Sequence, residues 1–596
     1  MDLQRPLEAA LDAAVAAGEI LRRDFHRPGG ARGAGDKAEA DLEAERLIRS
    51  RLGEAFPGWS YLGEETGRAA GRPGAPLWLV DPNDGTRDYL AGRRGSAVSI
   101  GLLAEGHPAL GVVFVFAYPD DEGDLFAWAE GCGALRRNGR ALSARLPEAL
   151  GAGDVVLLSS TADRDPATNL RCTEPARYRS VPSIAHRLAL VAAGEAAAAV
   201  SIFAPGAWDY AAGHALLRGA GAVIVDESGA EVDYGPDGAS QTLRAFAGSP
   251  GVVGRLVPRP WPEVYSGPWR GERTASLARG RAVGDAALLA RAQGCLLGQV
   301  AGDNLGALVE FCSAADVAAR YPDGPRRLVD GGHWGILAGQ PTDDSEMALT
   351  LARAVVGAGG YDEAGVLEAY RAWYRTGPFD VGDTTRAALV GYLVADSQAN
   401  GSLMRASPLA VLAHSLRTGE AAELGRRDSG LTHPHPVCRD AVAAFVVAAS
   451  RAVARGGEPE AAYEAALGWA KSAAEPAVTD ALVRAAAEPP RCDEGHTGWV
   501  LVALQNAFHE LLHAPSPEAG VVATVRRGGD TDTNAAVAGA LLGAVHGRSA
   551  VPVQWRNMIL SCRPHPLRAR HPRPLSCWPV DAMELAEGLL VTGRHD

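Results

Sequence analysis

The chain has 596 residues, past the size at which a single hydrophobic core keeps growing, so more than one domain is expected. With 47% hydrophobic and 22% charged residues it has an ordinary globular composition, which excludes a fibrous or wholly disordered protein. A formal net charge of −13 without a basic patch argues against nucleic acid as the main partner. Lys37 and Lys471 are the only lysines, an Arg bias expected of a GC-rich bacterial genome. The 8 cysteines form no C-x-x-C pair, so neither a disulfide framework nor a zinc ribbon is indicated, and a reducing cytoplasm is expected. Asp2, Arg5, Glu8 and Asp12 break the pattern of a secretory signal, and the longest apolar runs, such as that around Leu541, fall short of a membrane span.

In chain order, residues 6–25 and 42–56 place apolar side chains at helical spacing. The period then changes: LWLVD (77–81), SAVSIGLL (96–103), ALGVVFVFAY (109–118) and DLFAWAEG (124–131) read as strands of a mixed or antiparallel sheet. VVLLSS, VSIF and AVIVDE add strands among helices, giving an α+β domain over 1–255. Residues 256–283, with Pro258, Pro260, Pro262 and Pro268, read as a Pro/Gly/Arg-rich linker. From 284 to 596 the chain is dominated by Ala, Leu and Val at helical spacing and is expected to be all-α, with a Pro/Arg-rich interruption from Arg563 and a closing helix near 580–590.

The strongest local signal in the first half is WLVDPNDGTRDYLAG, where a buried strand runs out into a Pro-forced turn flanked by Asp81 and Asp84. Hard divalent cations seek such clustered oxygens, Thr86 stands where its hydroxyl orients a water, and Glu64 in GEETG offers a third carboxylate. Each acid alone would read as a turn cap. Together these pieces, with Asn138-Gly139 and the Trp208-Asp209 pair, resemble the inositol monophosphatase family over residues 5–250, which implies an α+β layered sandwich and magnesium-dependent phosphate ester hydrolysis. The resemblance implies that Glu64, Asp81, Asp84, Asp209 and the carbonyl of Asn83 hold two or more Mg²⁺ ions, and that Asp41 and Thr86 activate the attacking water. The helix start after Gly85 is expected to add backbone N–H groups toward the phosphate. Members that grip inositol carry a glutamate where this chain has Ile202, so inositol itself is an unfavoured substrate.

In the second half, GQPTDDSEMAL from Gly339 and RRGGDTDTNAAVAGALLGA from Arg526 each place oxygen side chains at a helix start. Thr342, Asp343, Asp344, Asp530, Asp532 and Thr533 together suffice to bridge a pair of hard cations; one such cluster alone would be an N-cap with an acidic first turn. With GCLLGQVAGDNLGALVEF from Gly294, GPFDVGDTT (377–385), NGSLMRASPLA (400–410) and LTHPHP (431–436), the half from Leu288 onward resembles the ADP-ribosylglycohydrolase family, including the dinitrogenase reductase-activating glycohydrolases. That resemblance implies two Mg²⁺ ions on those six residues, Asp303 and Glu310 as acids near the reacting carbon, and a cleft shaped by Asn400, Ser402, Met404 and Arg405. His433 reads as a loop or pocket residue. AFHELLHAP carries an H-E-x-x-H pattern at His509, Glu510 and His513, which is read as a decoy because Pro515 ends the helix and no third ligand follows.

The chain therefore reads as a bifunctional hydrolase acting on a phosphorylated small molecule and on an ADP-ribosylated protein or ADP-ribose derivative, with no nucleic-acid or membrane partner. The competing reading makes one half a non-catalytic binding module.

Overall fold

The computed structural model describes residues 1–203, 205–240, 242–264, 280, 282–493, 495 and 497–594. The chain divides into two compact units, Met1–Gly284 and Asp285–Asp596. Most of the linker expected over 256–283 lies outside the described residues. Its first part does not behave as a linker: Leu256, Trp261 and Val264 are buried in the core of the first unit, and the Trp261 indole donates to the Leu256 carbonyl at 2.7 Å. Apolar side chains between the prolines anchor this stretch, which Pro density alone concealed. No helix among the described residues is long and apolar enough to cross a membrane.

The first unit is an α+β sandwich. Helices α1 (Gln4–Phe25) and α2 (Glu39–Ala55) bury their apolar stripes on one face of an eight-stranded sheet. Its strands are β1 (Ser60–Gly63), β2 (Gly67–Ala69), β3 (Leu77–Asp84), β4 (Ala97–Ala104), β5 (His107–Val115), β6 (Asp124–Ala129), β7 (Arg136–Arg137) and β8 (Arg140–Ala141). Their order is β8-β7-β6-β5-β4-β3-β1-β2, antiparallel except for the parallel pair β1/β3. A five-stranded sheet follows, with β9 (Val155–Leu158), β10 (Arg177–Ser180), β11 (Ala198–Ser201), β12 (Val223–Val225) and β13 (Ala245–Gly248) in the order β10-β9-β11-β13-β12. Helices α3 (Ile184–Ala192) and α4 (Ala207–Gly219) fill the layer between the sheets.

Helix α4 lies unusually close to the first sheet. Gly101 on β4 and Gly111 on β5 are register partners, and a Cβ on Gly111 would stand 2.1 Å from the Ala212 carbonyl oxygen of α4. Only bare backbone at these positions admits the helix.

The second unit is helical. Its centre is an antiparallel pair, α5 (Ala286–Gly306) and α8 (Thr531–His546), both buried along nearly their whole length. The pair meets along Gly294, Gly298, Gly302 and Gly306, one residue per turn on one face of α5. A Cβ at Gly298 would lie 2.1 Å from the Gly539 carbonyl oxygen, and one at Gly302 2.0 Å from that of Ala535. Two further helices carry the site: α6 (Asp343–Ala358) and α7 (Asp383–Leu389).

Because the obstruction at Gly298 is backbone on a packed helix, Gly298→Val is expected to destabilise the helical unit by at least the ~1–3 kcal/mol of ordinary overpacking. Scanning calorimetry should show a lowered unfolding midpoint for that unit; an unchanged midpoint would mean that α5 and α8 separate freely.

Candidate active sites

In the first unit the site forms where strand ends meet helix starts. Strand β3 slips register against β4 between Asp81, paired with Ser99, and Asp84, paired with Ala97, so Pro82 and Asn83 bulge between the two acids. The Asp81 carboxylate accepts from the Asn83 N–H at 2.8 Å. Gly85 then adopts φ +102°, a conformation open to glycine, and starts the short helix Thr86–Leu90. Asp84 accepts from the Ser183 hydroxyl and the Ala185 N–H at the start of α3, both at 2.6 Å. Asp209 accepts from the Gly206 N–H at the start of α4 at 2.8 Å. Asp41 accepts from the Ala38 N–H at the start of α2 at 3.0 Å. Three helix N-termini thus point their partial positive charge at one group of acids.

Asp41 also accepts from the Asn83 side-chain amide at 2.9 Å and the Thr86 hydroxyl at 3.4 Å, while that hydroxyl donates to the Asn83 carbonyl at 2.9 Å. Glu64 reaches the group from the exit of β1. Its turn is held by Glu45, a fully buried acid on α2 that accepts from the Glu65 and Thr66 N–H groups at 2.7 and 2.8 Å. Glu45 did not stand out in the sequence, because nothing local marks an acid whose partners lie twenty residues on.

Burial and mutual repulsion push these acids up. Asp81 lies well above the usual carboxylate range through burial and then Glu64 and Asp84; Asp209 does so through burial and then Asp84 and Glu64. Burial also raises Glu64 to about 7 and Asp41 to about 6. Asn138 lies elsewhere, at φ +49° in the β7–β8 hairpin, where its side chain accepts from the Leu125 N–H. Ile202 packs against the core of the second sheet.

In the second unit the close pairing of α5 and α8 sets the end of one beside the start of the other. The Thr531 hydroxyl donates to the Gly306 carbonyl at 2.7 Å, and Asp532 follows in the first turn of α8. Glu310, Asp380 and Asp532 offer carboxylate oxygens that all lie within 4.8 Å of one another. Asp380 is the residue missed in the sequence: it stands within GPFDVGDTT, and only the fold carries it to the other two. Asp343 and Asp344 open α6, with the Gly382 N–H on Asp343 at 3.3 Å and the Thr342 hydroxyl on Asp344 at 3.1 Å. Asp344 Oδ1 is buried without a partner. Asp530 accepts from the Asn400 side-chain amide at 2.8 Å. Thr533 is buried in the first turn of α8, its N–H on Asp532 at 2.9 Å.

Burial, then neighbouring charge, again raises the acids: Glu310 to about 8 with Asp530 beside it, Asp380 to about 7, and Asp344 and Asp532 well above the usual range. The Trp334 indole donates to Glu310 Oε2 at 2.7 Å, a contact that local sequence does not announce.

Asp303 is fully buried and accepts from the Thr342 N–H and hydroxyl and from the Ser345 N–H, so it pins the start of α6. Arg405 has no exposed side-chain surface: it pairs with Asp428 at 3.1 Å, donates to Thr432 at 2.8 Å and stacks on Tyr370, holding its loop from behind. Ser402 is likewise buried against the Ser429 hydroxyl at 2.9 Å. Met404 is buried, its carbonyl accepting from Gln299 at 2.9 Å. His433 is buried with Nδ1 2.8 Å from the Thr432 hydroxyl and Nε2 unpartnered beside Gly401. In the H-E-x-x-H segment, His509 and His513 bond the Ala485 and Ala486 carbonyls and Glu510 pairs with Arg527 at 2.5 Å, so all three are engaged in packing.

Comparison with known proteins places both halves. The family model for the inositol monophosphatase family matches residues 2–245, and that for ADP-ribosylglycohydrolase matches residues 284–573. The chain is 34% identical over 241 residues to inositol monophosphatase 2 of Solanum lycopersicum, covering 38% of this chain and 89% of that protein. It is 30% identical over 286 residues to the ADP-ribosyl-[dinitrogen reductase] glycohydrolase of Rhodospirillum rubrum, covering 45% of this chain and 90% of that protein. A solved inositol monophosphatase from Anabaena is 27% identical, covering 43% of this chain and 96% of that one with a TM-score of 0.36. The chain thus joins two domains of hydrolase families. It belongs to the inositol monophosphatase family through its first half and to the ADP-ribosylglycohydrolase family through its second.

A carboxyl whose pKa is raised on folding stabilises the folded state while protonated and loses that contribution as pH climbs through the raised value. With Asp41 near 6, Glu64 and Asp380 near 7 and Glu310 near 8, chelator-treated protein should unfold at falling temperature between pH 5 and 8.5, by roughly 5 °C or more. Added Mg²⁺ should restore the loss at the upper end. A midpoint flat with pH would contradict the clustering.

Proposed function

We propose that the chain carries two separate hydrolytic activities: a Mg²⁺-dependent phosphomonoesterase in a half that runs to about residue 264, and a Mg²⁺-dependent ADP-ribosyl hydrolase from about residue 285 onward. The observation that carries this reading is that acids from distant segments converge twice: Glu64, Asp81, Asp84 and Asp209 in one unit, and Glu310, Asp344, Asp380, Asp530 and Asp532 in the other. All-oxygen donor sets of this charge fit hard divalent cations, and the unpartnered Asp344 Oδ1 fits a ligand position. When bound, such ions polarise phosphate or ribose oxygens and make a water more acidic.

The rest is done by the chain's own groups. In the first site the Thr86 hydroxyl, held by the Asn83 carbonyl at 2.9 Å and within 3.4 Å of Asp41, would orient a water for attack on the phosphate. The substrate preference for a phosphorylated nucleotide or ribose over an inositol ester rests on the sequence position of Ile202 alone, since its side chain packs against the core of the second sheet. In the second site the Trp334 indole holds Glu310 Oε2 and fixes this carboxylate beside Asp380 and Asp532, where it would help hold the cation at the reacting ribose. Asp303 keeps Thr342 and Ser345, and so Asp343 and Asp344, in place. The Rhodospirillum rubrum relative, by its name, acts on an ADP-ribosylated protein, which supports an ADP-ribosylated protein as substrate here.

Asp84→Asn should lower phosphatase turnover by roughly 100-fold or more, beyond the 10–100-fold of outer-shell losses, and leave ADP-ribosyl hydrolysis near wild type. Asp532→Ala should do the reverse. Parallel assays of released phosphate and released ADP-ribose decide it. Loss of both activities in either folded variant would sink the two-site reading, and cation binding without turnover in one half would make that half a binding module.

A further inference from the structure

The Pro/Arg-rich stretch from Arg563, which along the sequence is only a break between helices, is built into the second unit at its far end. His571 stacks on Phe379, with ring centroids 4.7 Å apart and planes 26° from parallel, and its Nε2 lies 3.0 Å from the Trp334 carbonyl. Two residues on, the Arg573 side chain is buried and each of its nitrogens is engaged. Nε and Nη2 donate to the two oxygens of Glu346 at 2.8 and 2.7 Å, a fork closed on a carboxylate. Nη1 donates to the Thr376 and Gly377 carbonyls at 3.3 and 3.0 Å, and Nη2 also to the Thr376 hydroxyl at 2.7 Å. The Arg573 carbonyl accepts from the Trp578 indole at 3.0 Å, which fixes the backbone from behind.

The partners of Arg573 are the neighbours of the acids. Glu346 stands on α6 just past Asp343 and Asp344, and its Oε2 also accepts from the Trp373 indole at 2.7 Å. Thr376 and Gly377 lead into Asp380, and just beyond it the Gly382 N–H meets Asp343. One guanidinium thus ties the helix that carries Asp343 and Asp344 to the turn that delivers Asp380, while His571 adds the segment of Trp334, whose indole holds Glu310. The turn needs such a tie. It lies between the helix Glu363–Arg375 and α7 in neither helix nor strand, so no backbone ladder fixes it, and the charges of Glu310 and Asp530 push Asp380 away from the place where it meets Glu310 and Asp532.

Resting on the reading of these acids as a cation site, we propose that Arg573 is a positioning residue of that site: with its donors spent on Glu346 and on the 376–377 turn, it holds Asp380 against the repulsion of the other acids, and cation affinity depends on it through Asp380. A residue that only neutralised Glu346 in the core would need a positive charge and nothing more. The fork is what separates the two roles. A lysine keeps the charge opposite Glu346, but its compact ammonium cannot close on that carboxylate and reach both carbonyls and the Thr376 hydroxyl at once.

The test uses the full chain and scanning calorimetry, reading the Mg²⁺ concentration at which the unfolding midpoint of the second unit begins to rise, which tracks the dissociation constant without any turnover. In Arg573→Lys this onset should move up by about tenfold or more, the scale of losing a partner that orients a ligand. Asp380→Asn should move it as well, and the double variant Asp380→Asn, Arg573→Lys should move it no further than Asp380→Asn alone, because both changes remove the same contribution. Thr376→Val takes one acceptor from Arg573 at an exposed residue, so it keeps the fold and should move the onset the same way by a smaller factor. It carries the test if Arg573→Lys does not fold. A wild-type onset in either folded variant, or full addition of the two effects in the double variant, would overturn the positioning role while leaving the cation site standing. If Mg²⁺ does not raise the midpoint of the second unit in the wild-type chain, the cation reading falls and the proposal with it.

Discussion

Carboxylates packed side by side away from water repel one another, and both halves of this chain are organised around holding several of them in that position. Nothing in an isolated acid favours the arrangement: burial raises Asp81, Asp344 and Asp532, and the charges of the neighbouring acids raise them further. The surrounding structure must therefore be stiff enough to impose the arrangement.

Both units reach that stiffness by the same device on unrelated architectures. In the first, α4 rests directly on the backbone of β4 and β5 over Gly101 and Gly111, which fixes the turn carrying Asp209. In the second, α5 and α8 meet glycine to backbone along four turns, which sets Asp532 beside the end of α5. The closeness leaves little room for the elements to drift apart, since the contact is backbone on backbone and not flexible side chain. Helix N-termini offset part of that cost: α2, α3 and α4 face the first group, α6 and α8 the second, and N–H groups at the starts of the first three donate to Asp41, Asp84 and Asp209. The same helix starts leave carboxylate oxygens facing inward, where a hard cation fits.

What was legible in the sequence was whatever lies close together along it. The strand that runs out at Asp81, the acid pair around Pro82 and the Thr-Asp-Asp helix start are local patterns with local physical causes. Asp380, Glu45 and Trp334 were not legible, since each acts on a partner that only the fold brings near. For Arg405 and Asp303 only the fold shows what each side chain bonds, Asp428 for the one and the start of α6 for the other. The stretch 256–264 looked like linker because Pro spacing obscures a buried tryptophan.

The account stands on the claim that two separate acid clusters are cation sites. Its most direct test is a crystal of the full chain soaked with Mn²⁺ and measured for anomalous scattering. The account predicts peaks in both units, one among Glu64, Asp81, Asp84 and Asp209 and one among Glu310, Asp344, Asp380, Asp530 and Asp532. Strong peaks confined to one unit, or placed away from these carboxylates, would contradict it.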